Sequence, residues 1–185
     1  MKFETTTLQD VILIRPAIFH DDRGHFFESF NQNTWTSQGF ENSFVQDNQS
    51  FSTKGVVRGL HFQTGEHAQG KLVRVIQGRV LDIALDIRPD SPTFGKYELF
   101  DLDSKSGNLV YIPEGFAHGF VALEDSIFHY KCTGYYCKEA EAGIHWNDPS
   151  LQIPWGISNP IVSTKDQILP NFSDYLEKSL RSNIG

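Results

Sequence analysis

Arg58-Gly59-Leu60-His61-Phe62-Gln63 and Gly107-x5-Pro113-x-Gly115-x2-His118 are the two stretches on which the fold turns. Each is a short run bounded by glycine or proline and holding one histidine. Read as strands, they outline a small β-barrel with an imidazole from each of two strands turned into its mouth. Small barrels that hold a metal usually do so through His-x-His, a following Glu and a His from a later strand. Gly55-x5-His61 fits the start of that pattern and His118 fits its end, but position 63 is Gln and Glu66 comes too early. Two placed ligands make neither a closed nor a catalytic divalent site. The expectation is proton chemistry, with no metal and no cofactor.

The 185 residues are long enough for one domain, 1–185, with a sizeable core. Gly (15) and Pro (8) fall between short apolar runs, and 15 Phe add to an all-β bias. A net charge of −7 argues against a nucleic-acid surface. It leaves room for a small anionic ligand, because a few placed cations set the local field. Two cysteines, Cys132 and Cys137, read as ordinary thiols of a reducing compartment. Met1-Lys2-Phe3-Glu4 has no apolar signal core, and runs such as Val11 to Ile14 are too short to cross a bilayer. A cytoplasmic protein without membrane contact is expected.

The pattern predicts strands at Val11–Ile14, His25–Phe30, Phe44–Asn48, Val56–Gln63, Leu72–Ile76, Val80–Leu85, Tyr97–Leu102, Leu109–Ile112, Phe116–Leu123 and Ile127–Cys132. Gln77-Gly78-Arg79 reads as a tight hairpin between two of them. Asn31 to Gly39 predicts a short helix around Trp35. Ser173 to Ser182 predicts a terminal helix capped by Asn171 or Ser173, with Leu176 and Leu180 on one face. Strands at this spacing suggest a jelly roll or a related barrel.

Histidine suits a general base because its ordinary pKa lies near ~6.5. Such a base needs a partner that fixes its tautomer, and Asp82, Asp86 and Asp166 are all candidates for His61. In Lys71-Leu72-Val73-Arg74-Val75, alternation puts Lys71 on the face of Val73 and Val75. A cation there either faces a cavity or snorkels to water. Tyr130 shares a face with Phe128 and is either core or a proton donor. Arg23 and Arg58 are candidate anion clamps, since a guanidinium binds two oxygens at once. Strict alternation sets Arg58 and His61 on opposite faces unless Gly59 marks a bulge.

Several stretches taken together resemble one family. They include Asp22-Arg23-Gly24-His25-Phe26-Phe27-Glu28, Phe44-Val45-Gln46-Asp47-Asn48, Val57-Arg58-Gly59-Leu60-His61-Phe62-Gln63 and Gln69-Gly70-Lys71-Leu72-Val73-Arg74. Ile112-Pro113-Glu114-Gly115-Phe116-Ala117-His118-Gly119-Phe120, Tyr130-Lys131-Cys132-Thr133, Trp146-Asn147-Asp148 and Ser163-Thr164-Lys165-Asp166 continue the series in order. The chain resembles the dTDP-4-dehydrorhamnose 3,5-epimerases of dTDP-L-rhamnose biosynthesis from about Leu13 to Asp166.

The resemblance implies an all-β, cupin-like jelly-roll barrel with short flanking helices, a homodimer, and no metal. It implies inversion of dTDP-4-dehydro-6-deoxy-D-glucose at C3 and C5. His61 would be the base, Asp166 its partner, Lys71 the stabiliser of charge on the C4 oxygen, and Tyr130 the proton donor on the opposite face. Arg23, Arg58 and Lys165 would contact diphosphate or sugar, and Glu28, Gln46, Asp47, Asn48, His118 and Glu141 other parts of the substrate. The early segment carrying Arg23 would reach into the partner subunit's site. Phe26, Phe27, Tyr135 and Tyr136 are candidates to stack on the thymine. The rivals are an epimerase of one carbon only, a metal-dependent cupin enzyme, which Gln63 argues against, and a sugar-binding barrel without catalysis.

Overall fold

The computed structural model describes residues 1–182, with side chains to residue 177. Its strands are β1 (Lys2–Thr5), β2 (Ile12–Arg15), β3 (Phe19–Asp21), β4 (Gly24–Phe26), β5 (Gln46–Ser52), β6 (Val56–Gln63) and β7 (Lys71–Gln77). They continue with β8 (Arg79–Asp86), β9 (Tyr97–Asp103), β10 (Leu109–Ile112), β11 (Phe116–Ala122), β12 (Ser126–Cys132), β13 (Glu141–Gly143) and β14 (Ile161–Val162). The helices are α1 (Gln32–Ser37), α2 (Thr164–Gln167) and α3 (Phe172–Ser182). Among the described residues no helix is long and apolar enough to cross a membrane.

One sheet has the order β1-β2-β10-β7-β12-β5 and the facing sheet β13-β6-β11-β8-β9, with β14 beside β6. From β6 to β12 the chain changes sheet at most of its turns, which makes a jelly roll. Gln77-Gly78-Arg79 therefore does not close the expected hairpin: β7 and β8 lie in different sheets. Gly78, at φ +79°, turns a corner where a Cβ would strike the Asp125 carbonyl.

Four layers explain why so many strands are apolar on both faces. Val73, Val75, Val80, Ala84, Val110, Phe120 and Phe128 fill the space between the sheets. The outer face of the second sheet, with Val57, Leu60, Ile83 and Leu85, is covered by Ile144, Ile153, Trp155 and Phe172 from the C-terminal segment. Trp35 of α1 covers Ile14, Leu72, Leu109 and Tyr111 on the first sheet's outer face. Burying each such large side chain contributes roughly 1.5–3 kcal/mol. Asn31 caps α1, its Oδ1 accepting from Asn33 N at 2.9 Å and Thr34 N at 3.3 Å.

Three expectations change. The strand predicted at His25–Phe30 shortens to β4, which pairs only with β3 in an exposed hairpin. The strand predicted at Phe44–Asn48 starts at Gln46 and runs on to Ser52, because Phe44 leaves the ladder to pack on Trp35. α3 begins at Phe172, and the Tyr175 amide bonds the Asn171 carbonyl at 3.0 Å. Leu176 packs on the second cluster, while the Leu180 side chain lies outside the described residues.

β6 carries the feature that builds the site. Its ladder with β11 pairs His61 with His118 and Arg58 with Phe120. Gly59 and Leu60 thus stand opposite Gly119 alone, a bulge that reverses the parity of the strand. Arg58 and His61 thereby come to line the same cavity. The two backbones touch here: a Cβ at Gly119 would lie 2.6 Å from the Arg58 carbonyl oxygen. Gly119→Ala is expected to cost about 1–3 kcal/mol in thermal unfolding through forced backbone shifts, and to lower kcat/KM by moving His61. An unchanged melting temperature would show that the bulge is not held by this contact.

Candidate active site

The cavity at the barrel mouth has a volume of about 350 Å³, within the range of small-molecule sites. β6 contributes Arg58, His61 and Gln63, β7 Lys71, β11 His118, β12 Tyr130, and β5 Gln46, Asn48 and Ser50. Gln69, Tyr136 and Glu141 close its rim, and Phe120 and Phe128 form its apolar wall.

Of the three candidate partners for His61, the fold selects Asp166. His61 Nε2 lies 2.7 Å from Asp166 Oδ1. Asp166 is buried on α2, where Ser163 caps its amide at 3.1 Å and its Oδ2 accepts from the Gly59 amide at 3.3 Å. Burial alone would raise the pKa of this carboxyl, but the His61, Gly59 and Ser163 bonds outweigh it and hold the group below the usual carboxylate range. A carboxylate only accepts, so the shared proton sits on Nε2 and the Nδ1 lone pair of neutral His61 is free to act as a base.

Asp82 bonds the other histidine, with His118 Nε2 at 2.7 Å from Asp82 Oδ1. Burial pushes the His118 pKa down, against the Asp82 field. Asp86 has an unrelated task, bonding Arg88, Ser91 and Thr93. Arg88 also reaches Asp10 at 2.8 Å and lies over the Phe116 ring, which ties the N-terminal segment to the barrel.

Lys71 sits at the open end of the valine row and donates to the His61 carbonyl at 3.3 Å. Burial lowers the pKa of its ammonium, while the neighbouring Cys132, Asp82 and Glu141 act to raise it. Burial raises the Tyr130 pKa, so its hydroxyl keeps its proton at neutral pH. The cavity therefore combines a tautomer-fixed base, a cation and a protonated phenol. Gln63, at the position of a second metal ligand, is engaged elsewhere: its Oε1 accepts from the Cys137 amide at 2.9 Å. Among the described residues no three His, Cys, Asp or Glu side chains cluster as a metal site would need.

The sequence model described as dTDP-4-dehydrorhamnose 3,5-epimerase matches residues 5–174. The chain belongs to that family. It is 50% identical over 163 residues to the dTDP-4-dehydrorhamnose 3,5-epimerase of Shigella flexneri, covering 87% of this chain and 90% of that one. It superposes on the dTDP-6-deoxy-D-glucose-3,5-epimerase of Legionella pneumophila, solved with dTDP-4-keto-L-rhamnose, with a TM-score of 0.89 and 42% identity over 93% of each chain. A 3'-monoepimerase from Streptomyces bikiniensis, solved with dTDP-quinovose, is more distant at 28% identity, with a TM-score of 0.87 over 95% of this chain and 90% of that one.

Not every residue singled out by the resemblance to the 3,5-epimerase family stands at this cavity. Arg23 is on the β3–β4 hairpin, 90% exposed and paired with Asp21, and Phe26 beside it is 70% exposed. Glu28 accepts from Asn31 at 2.9 Å, away from the site. Asp47 faces outward from β5 and binds Lys131 at 2.8 Å. Lys165 is held at 2.5 Å by Glu141, and this bond comes first among the causes that keep the Glu141 carboxyl below its usual range. Of the four aromatics weighed for the thymine, only Tyr136 lines the cavity, its hydroxyl donating to Glu141 at 3.1 Å. Tyr135 is exposed, and Phe27 lies under Arg74. Ser50 and Gln69 went unrecognised. The period of two along Gln46, Asn48 and Ser50 was the signal for Ser50, and it also sets Asp47 on the other face.

Proposed function

We propose that this chain, as one domain spanning residues 1–185, inverts C3 and C5 of dTDP-4-dehydro-6-deoxy-D-glucose through C4 enolates, giving dTDP-4-dehydro-L-rhamnose. The carrying observation is the His61–Asp166 pair facing Lys71 and Tyr130 across one cavity. Both carbons flank the C4 ketone, which acidifies their protons. His61 Nδ1 takes the proton, and the C–H electron pair moves into the carbonyl to place negative charge on the C4 oxygen. The Lys71 ammonium stabilises that charge where it develops. Tyr130 returns a proton on the opposite face, which is the inversion; its phenolate then regains a proton from water, and His61 gives up its proton to water.

Arg58 suits the diphosphate. Its guanidinium already lines the cavity, and Ser52 Oγ at 3.0 Å and the Phe51 carbonyl at 3.1 Å hold it in place. Tyr136 suits the thymine, and Gln46, Asn48, His118, Glu141 and Lys165 the remaining polar groups. The enzyme acts as a cytoplasmic homodimer. The β3–β4 hairpin leaves Phe19 65% and Phe26 70% exposed, a surface that a second copy would cover while carrying Arg23, Phe26 and Glu28 to the partner's cavity.

Proton NMR of the dTDP-sugar in deuterated water tests the reading. Deuterium is expected at both C3 and C5. Tyr130→Phe is expected to retain exchange while slowing net inversion about 100-fold. Exchange at one carbon only would assign a single-centre epimerase, and no exchange would refute the enolate route.

A further inference from the structure

His118 belongs to a second histidine–carboxylate pair, and the mechanism above makes no use of its carboxylate. Asp82 is fully buried on β8. Alternation sets it with Val80 and Ala84, the residues β8 sends into the apolar space between the sheets. Its Oδ1 accepts from His118, but its Oδ2 is buried without any hydrogen-bond partner among the described residues. A carboxylate so placed is costly for stability unless a nearby cation compensates it. His118 is not that cation, because burial favours its neutral form.

Of the two cations that line the cavity, Arg58 is held by Ser52 Oγ and the Phe51 carbonyl, which leaves Lys71. The groups around it are His61 and Arg58 from β6, Asp82 from β8, His118 from β11, Tyr130 and Cys132 from β12, and Glu141 from β13. β10, the other neighbour of β7, offers only Ile112 opposite Lys71. Glu141 is already engaged by Lys165, which leaves Asp82 as the carboxylate with a free oxygen.

We propose that Asp82 is a positioning residue for the epimerisation: it fixes His118 as the Nε2–H tautomer and supplies the buried negative charge that keeps Lys71 cationic for the C4 oxygen. This rests on the reading of Lys71 as the group that stabilises that oxygen. An orphaned carboxylate oxygen in an apolar interior is poor design for stability alone. It is intelligible as the fixed counter-charge of a cation that must stay charged while burial works against it.

Asp82→Asn removes the charge and keeps the shape. Its kcat–pH profile is expected to lose activity at lower pH, with the alkaline limb moved down by about one unit. A one-unit move is about a tenfold loss of kcat on that limb. The melting temperature is expected to hold or rise. Asp82→Leu, apolar and of similar volume, should shift the limb in the same direction and guards against an amide that folds poorly. In a Lys71→Met background, where the limb itself should vanish, Asp82→Asn should cost no further activity. An unshifted limb in both Asp82 variants, or the same loss in the Lys71→Met background, would overturn the proposal. Wild-type turnover in Lys71→Met alone would instead overturn the reading of Lys71.

Discussion

His61→Ala is expected to lower turnover at least ~100-fold, the usual contribution of a positioned base. The change reaches the chemistry more than the fold. His61 is partly exposed at the cavity wall, so its truncation removes little packing. It does take from Asp166, whose side chain is 4% exposed, the shorter of the hydrogen bonds its carboxylate accepts. A loss of about 1–3 kcal/mol in stability is expected from that. His61→Asn, which keeps an N–H donor toward Asp166, should recover most of the stability and none of the turnover. NMR rates for both variants, set beside their melting temperatures, separate the two effects. Near wild-type turnover in either would remove His61 as the base.

Lys71→Met should cost roughly 10²–10³ in kcat, the usual loss when one donor to a developing oxyanion is removed. KM should change little, because the diphosphate is assigned to Arg58 rather than to Lys71. The methionine fills the space but leaves the buried Asp82 carboxylate without its counter-charge, so the variant should melt lower than the parent. A higher KM at unchanged kcat would instead make Lys71 a ground-state binder. The sign of the pH effect follows from the direction of the shift. Activity needs the ammonium, and burial lowers its pKa. In the parent enzyme, activity should therefore fall as pH rises through a value below ~10.4, the ordinary lysine figure. A kcat that stays flat to that pH would contradict the assignment.

Much of this site could be read from the chain. A lysine on the face of two valines and a histidine among Leu60 and Phe62 are costly in a barrel wall unless they face a cavity, and the structure puts both at one. The resemblance carried Tyr130, Arg58, Gln46 and Asn48 to the same cavity. Asp47 shows where it stops: its neighbours line the cavity, but the pleat turns Asp47 outward to Lys131. Arg23 and Phe26 sit on a hairpin, and Glu28 just after it, outside the single chain's cavity, and a second copy of the chain is the proposed reason.

The sequence by itself determined the all-β character, the short flanking helices, the charged and aromatic side chains set into apolar strands, and the family. Those depend on residue type and on periods of two or three to four residues, which are local. Only the tertiary structure decided which of three aspartates holds His61, because Asp166 lies 105 residues away and the contact depends on how β6 and α2 pack. Only the sheet order showed that Gln77-Gly78-Arg79 joins two sheets rather than two neighbours. The bulge at Gly59, which lets Arg58 and His61 share a cavity, likewise exists only when β11 lies beside β6. A hydrogen bond spans about 3 Å, and which distant groups come that close is set by the pairing of strands, not by their spacing along the chain.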